Sequence, residues 1–339
     1  MAPSAEVSAI PGVGVSKTNT SAQSRPSTHK REPLKYSGSL DEYHRFDHTP
    51  VIGTEFPDLL LADILADDKK LRDLAITVSR RGVVFFRNQE ITIDQQKHLA
   101  QRLGELGGKP STSKLNKHPL LKSQPDFPVD GTGRVDDEVS IISSKVLRKR
   151  YPHMYHEMED DFVIPPLASE QWHTDISYER VPSDYAVLHM LDVPKDGCGG
   201  DTLWASGYEV YDRLSPPVKN LVDGLNTVQG QASYISQTAK EVEHQFSDRG
   251  APENTSLDLV ATHPLIRTNP VTEWRSLYGA GQSLTHGRIA GVTQAESELL
   301  KQYFLQLIAQ NHDLQVRFRW AENSLAIWDN RCVYHAGTK

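Results

Sequence analysis

Along residues 56–82 (FPDLLLADILADDKKLRDLAITVSRRG) apolar side chains recur at helical spacing, and Gly82 stands where such a run would stop, so the pattern predicts one helix over this stretch. VVFFRNQ follows as an unbroken apolar run of strand length and predicts a buried strand. In TIDQQKHLAQRLGELGG, Thr92 is placed to cap a second helix, glycines close it, and His98 falls on its outer side. The periodicity then lapses from 109 to 170, where only VSIISS (139–144) reads as strand. So long an aperiodic segment inside a globular chain predicts a cover over a binding site.

From 171 onward strand-type runs dominate: WHTDISY, YAVLHMLDVP, GDTLWAS, LVATHPLIRT, WRSLYGAG, LQVRFRW and SLAIWDNRCVYH, separated by Gly, Pro and Asn. Helical stretches interrupt them near 207–224 and at 293–310, and no fixed-period repeat is present. The pattern predicts a mainly β chain with flanking helices, a sandwich or jelly-roll barrel rather than a parallel βαβ sheet.

Composition narrows the function classes. The 339 residues carry a net charge of -7, which argues against a nucleic-acid partner, because phosphate binding needs clustered Lys and Arg. The longest apolar runs fall far short of the roughly 20 residues that span a bilayer, so no membrane association is expected. Two cysteines, Cys198 and Cys332, form no metal or disulfide pattern, and a reducing, cytoplasmic setting is the expectation. Residues 1–36 are rich in Ser, Thr, Pro and Ala and predict a disordered tail without a secretory pattern, leaving 37–339 as one domain. Small-molecule partners fit best, and a homo-oligomer is compatible with these features.

The candidate chemistry begins at His173-Thr174-Asp175. With 14 His and 44 acidic residues, about two His-x-acid triplets arise by chance, so the triplet needs outside support. A two-His, one-carboxylate triad holds Fe(II) on one face and leaves cis positions open, and its second His must come from a distant strand. His335, 162 residues beyond His173 at the end of an alternating run, meets that requirement. His189 and His263 have no carboxylate at the same spacing and read as packed or hydrogen-bonded. His153 and His156 in HMYHEMEDD lack the spacing that presents two imidazoles on one helix face. Spacing alone leaves both the metal site and two polar strand residues open.

WHTDISY, GGDTLWAS, HPLIRTNPVT and AIWDNRCVYHA, in this order, resemble the taurine dioxygenase family of iron(II) and 2-oxoglutarate dependent oxygenases, and PLKYSGSLDEY resembles its fungal, sulfonate dioxygenase-like members. The resemblance runs from about residue 33 to the end. It implies a double-stranded β-helix (jelly-roll, cupin-like) core, with His173, Asp175 and His335 as ligands of Fe(II). It further implies that Thr202 holds the distal carboxylate of 2-oxoglutarate and that His118 of KHPLL meets the substrate. The expected reaction oxidises a C–H bond of a small acidic substrate, a sulfonate or carboxylate, while 2-oxoglutarate and O2 give succinate and CO2. Hydroxylation, fragmentation, desaturation and cyclisation are all compatible with it.

Two departures stand out. The family places anion-binding arginines some ten to fifteen residues beyond the second histidine, whereas this sequence stops at Lys339, which predicts that a last strand is missing from it. Arg331 precedes the histidine on the same predicted strand and does not match the missing position. Leu121 stands where taurine-oxidising members carry a tyrosine, which leaves taurine itself in doubt. Two other classes compete: a zinc hydrolase using the same triad with an activated water, and a jelly-roll binding protein that has lost the chemistry.

Overall fold

The computed structural model describes residues 32–117, 136–143, 171–194, 198–230, 248–256, 258–281 and 287–338. In chain order these contain β1 (Phe46–Asp47), β2 (Thr54–Phe56), α1 (Asp68–Arg81), β3 (Val83–Phe86), α2 (Ile93–Leu106), β4 (Tyr185–Met190), β5 (Thr202–Ser206), α3 (Gly207–Asp212), α4 (Pro216–Val222), β6 (Asn226–Gly230), β7 (Val260–Pro264), β8 (Ile266–Thr268), β9 (Arg275–Leu277), β10 (Arg288–Ala290), α5 (Gln294–Gln310), β11 (Gln315–Phe318), β12 (Ser324–Asp329) and β13 (Val333–Gly337).

The first helix is shorter than the apolar spacing predicts. It begins at Asp68 because the Asp67 side chain accepts from the backbone N–H groups of Lys69 (2.9 Å) and Lys70 (3.1 Å) and caps it there. Upstream, the Gln89 side chain takes the amide of Leu61 (2.8 Å) and the carbonyl of Leu59 (2.9 Å), backbone groups that a longer helix would have to use itself. Phe56 joins β2 instead. Gly82 does end α1, at φ +72°, where a Cβ would stand 2.8 Å from a Val333 methyl. The second helix follows expectation, with Thr92 and Gln95 forming a reciprocal capping box.

Two sheets sandwich the core. The larger has the order β1-β2-β3-β12-β4 and the smaller the order β11-β5-β13. All their pairings are antiparallel except β2 with β3, which α1 connects as a crossover. Alternation along β3 sorts its side chains: Val83 and Phe85 meet Trp204, Val316, Phe318 and Trp328 between the sheets, while Val84 and Phe86 meet Leu71, Leu74 and Leu99 under the first two helices. Buried on both faces, β3 is apolar throughout, as a two-sided strand must be. On the far side of the smaller sheet, Ala205, Tyr334 and Ala336 pack with Phe304 and Ile308 of α5. The two facing sheets make up a double-stranded β-helix core.

Three expectations need correction. Residues 139–143 form no strand: Ile142 is 74 % exposed, and the preceding turn is held by Lys97 bonding Asp136 and Glu138 rather than by a ladder. WHTDISY is a turn with a single bridge, between His173 and His335, for reasons that belong to the site. Arg331 lies in the turn before β13, not on the strand. Residues 34–36 of the expected tail already bond the domain, Leu34 N–H to the Val271 carbonyl at 2.9 Å, while residues 1–31 lie outside the described residues.

Candidate metal centre

His335 is carried by β13, where it pairs across the ladder with Trp204 of β5. On its other side the His173 backbone exchanges two hydrogen bonds with the His335 backbone, at 3.0 and 2.9 Å. That single bridge sets the two imidazoles beside one another, 4.1 Å between ring centroids. The chain then leaves extended geometry at once, since Ile176 adopts φ +44°, and the turn brings Asp175 back toward both rings. Asp175 Oδ1 lies 3.7 Å from His173 Nε2 and 3.6 Å from His335 Nε2.

The three groups fit a metal ion. Ligand atoms about 2.1 Å from one ion and at right angles stand about 3.0 Å apart, so these separations need to close by only some 0.6 Å. Asp175, His173 and His335 can each offer one ligand atom with all three within 4.8 Å of one another. The His173 tautomer agrees. His173 Nδ1 lies 2.8 Å from the Gln171 carbonyl, which can only accept, so Nδ1 carries the proton and Nε2 presents its lone pair. Burial, aided by the neighbouring His173, pushes the His335 pKa down to about 4, so that ring is neutral and able to ligate at physiological pH. His173 and Asp175 are about one-third exposed and His335 about one-eighth, so the centre sits at a rim open on one side.

Thr202 begins β5, opposite Gly337, while Trp204 of the same strand stands opposite His335. Residues two apart share a face, so the Thr202 hydroxyl lies on the His335 side of the sheet, about 7 Å along the strand. Its Oγ1 accepts from the Trp320 indole N–H at 3.0 Å, which leaves the hydroxyl proton free to donate outward. His118, Leu121, His153 and His156 lie outside the described residues. His189 bonds Gln96 and the Gln89 carbonyl, and His263 bonds the Ser177 carbonyl, so both are occupied in packing roles as expected.

The sequence pattern did not reveal the frame behind the triad. Asn330 bonds both backbone groups of Asp175, and Arg331, 4 % exposed, forms a two-point pair with Asp329 at 2.8 and 2.7 Å. Asp329 also receives the Ser79 hydroxyl and the Asn269 amide. Desolvation works to raise the Asp329 pKa, but Arg331 and these donors outweigh it and hold the carboxyl below its usual range. A charged pair interrupting an otherwise apolar strand end, in WDNR, is the signal that would have marked this turn.

The profile of the taurine catabolism dioxygenase TauD, TfdA family matches residues 44–339. The chain belongs to that family. It is 46 % identical over 319 residues to the alpha-ketoglutarate-dependent dioxygenase btcD of Neocamarosporium betae, covering 91 % of this chain and 89 % of that one. The alpha-ketoglutarate-dependent sulfonate dioxygenase of Saccharomyces cerevisiae is 29 % identical over 288 residues, covering 85 % and 61 %. The crystal structure of a taurine dioxygenase from Burkholderia xenovorans superposes with a TM-score of 0.61 at 25 % identity, covering 88 % and 83 %. As a member of this family the protein is a dioxygenase that uses Fe(II), 2-oxoglutarate and O2, and the zinc-hydrolase and binding-protein readings are set aside.

Proposed function

We propose that His173, Asp175 and His335 hold the catalytic Fe(II), that Thr202 anchors the distal carboxylate of 2-oxoglutarate, and that the substrate is a small sulfonate or carboxylate. The observation that carries this reading is the convergence of two imidazole Nε2 atoms on one carboxylate oxygen at an open rim, with the His173 tautomer already set for ligation. When bound, Fe(II) would activate O2 as the oxidant, one oxygen atom entering succinate as 2-oxoglutarate loses CO2 and the other providing the two-electron oxidation of the substrate C–H bond. The chain does the rest. The Gln171 carbonyl fixes the His173 tautomer, the Trp320 indole takes a lone pair of Thr202 and leaves its hydroxyl proton free, and the Trp328 ring, 5.0 Å from the His335 ring, covers one side of it.

An acidic substrate fits the sulfonate activity named for the Saccharomyces cerevisiae relative, and His118 is the proposed donor to its anionic group. The reading includes a cytoplasmic enzyme with neither nucleic-acid nor membrane partners, and a homo-oligomer is compatible with it. No described helix is long and apolar enough to cross a membrane. The test is to screen sulfonates and then carboxylates for succinate formation coupled to 2-oxoglutarate loss in the presence of Fe(II). A substrate of another class giving tight coupling, with all acids inert, would overturn the substrate assignment. His118→Ala should raise the KM of an acidic substrate about tenfold and leave 2-oxoglutarate binding normal.

A further inference from the structure

The turn that precedes His335 also reaches across the rim to Asp175. Asn330, 1 % exposed, accepts the Asp175 N–H at its Oδ1 (3.0 Å) and donates from Nδ2 to the Asp175 carbonyl (2.9 Å) and the Ser183 carbonyl (3.2 Å). Its own N–H bonds the Asp184 carbonyl at 2.9 Å. One primary amide thus takes both backbone groups of a residue that has just left the His173–His335 bridge. The next residue, Ile176, is β-branched and holds φ +44°, a conformation such residues avoid unless their surroundings impose it. On either side of Asn330 stand Asp329 and Arg331, whose buried pair is tied to Ser79 of α1 and Asn269, so the amide is mounted on a fixed turn.

Resting on the reading of the triad as the iron site, we propose that Asn330 is a positioning residue for the metal carboxylate. It fixes the Asp175 backbone in the one placement that aims Oδ1 between the two Nε2 atoms. The same turn continues into β13 and delivers His335, so a single structural unit sets two of the three ligands. The role needs a side chain of this length with one acceptor and one donor. Aspartate has the shape without the donor and would face the carbonyls of Asp175 and Ser183 with an oxygen.

The test titrates Mn(II), which does not air-oxidise readily, into the full chain by calorimetry, and follows thermal unfolding of the metal-free proteins. Asn330→Asp and Asn330→Ala should each weaken Mn(II) binding about 10- to 100-fold, the range for partners that orient a ligand without touching the ion. Asp67→Ala, which removes the cap at the start of α1 and leaves Asn330 on Asp175, should lower the melting temperature and leave Mn(II) affinity within about twofold. Asn330 variants that bind Mn(II) within about twofold of the parent overturn the proposal. So does an equal loss of affinity in Asp67→Ala, which would show that general loosening is responsible. Hydrogen exchange of the Asp175 amide in the unaltered, metal-free protein covers the case of variants that do not fold: protection is expected, and exchange at the free-chain rate overturns the clamp. Asp175→Ala separates the two readings. If it binds Mn(II) like the parent, the metal-site assignment falls and this inference with it; if it loses binding while the Asn330 variants do not, only this inference falls.

Discussion

Replacing Thr202 by Val removes one hydroxyl that has a proposed duty toward 2-oxoglutarate and an observed bond to Trp320. Outward, the hydroxyl has a free proton for a carboxylate, and a hydrogen bond to a charged group contributes about 1.5–3 kcal/mol, so 2-oxoglutarate affinity should fall roughly 10- to 150-fold. Inward, Oγ1 is the acceptor for the buried Trp320 indole N–H at 3.0 Å. Val leaves that donor unsatisfied at a cost of about 1–3 kcal/mol, which lowers the melting temperature by several degrees. The two effects separate by a second variant. Trp320→Phe removes the donor and creates no orphan, so it should disturb 2-oxoglutarate binding less than about threefold, and Thr202→Ser should keep both functions in large part. Calorimetric titration of 2-oxoglutarate into the Mn(II)-loaded proteins reads the first duty and thermal unfolding the second. A Thr202→Val protein that binds 2-oxoglutarate within twofold of the parent would refute the anchor assignment. Equal losses in Trp320→Phe would show that the indole, not the hydroxyl, matters.

His173→Ala, Asp175→Ala and His335→Ala should each abolish coupled turnover while circular dichroism shows the fold intact, and an active variant would remove its residue from the triad. Gly82→Ala forces a Cβ to 2.8 Å from a Val333 methyl at φ +72°, so urea unfolding should show a loss of about 1–3 kcal/mol. Glu55 is partly desolvated, which raises its pKa, yet His48 and Arg87 outweigh this and lower it to about 2 from 4.5. A depressed carboxyl stabilises the fold above its unfolded pKa, so up to about 3 kcal/mol should be lost as pH falls from about 4.5 to 2. Glu55→Gln should flatten that acid limb in a pH series of melting temperatures. Arg331→Leu leaves the Asp329 carboxylate buried without its partner and should cost about 3–5 kcal/mol in the same unfolding assay.

Local signals proved sufficient wherever the forces were local. Thr92 and Gln95 cap α2 within four residues, and β3 and β12 are legible as apolar runs because both faces of each are buried. Where a distant residue decided the conformation, the pattern misled. Helical spacing before Asp67 gave way to bonds from Gln89, and WHTDISY, strand-like in composition, is bent at Ile176 while Asn330 holds the preceding residue. β6 escaped notice because NTVQG carries too few apolar residues to alternate, its pairing with β7 and β10 supplying what side chains do not. The three candidate ligands were legible as residue types at suggestive positions, whereas the Asn330 bonds to Asp175 were not, since nothing in a lone Asn tells which backbone it will meet.

The bridge between His173 and His335, together with the Asn330 amide on Asp175, joins segments some 155 to 162 residues apart in sequence. Such contacts close late, because the chain must first order the intervening strands against a large loop entropy. On the proposed assignment, then, no ion-binding centre exists during synthesis until β13 has emerged and paired. Iron loading at that centre then follows the pairing of β13. An ion that binds only the completed rim holds β13 in place by mass action, so iron supply and the lifetime of the folded chain become thermodynamically linked.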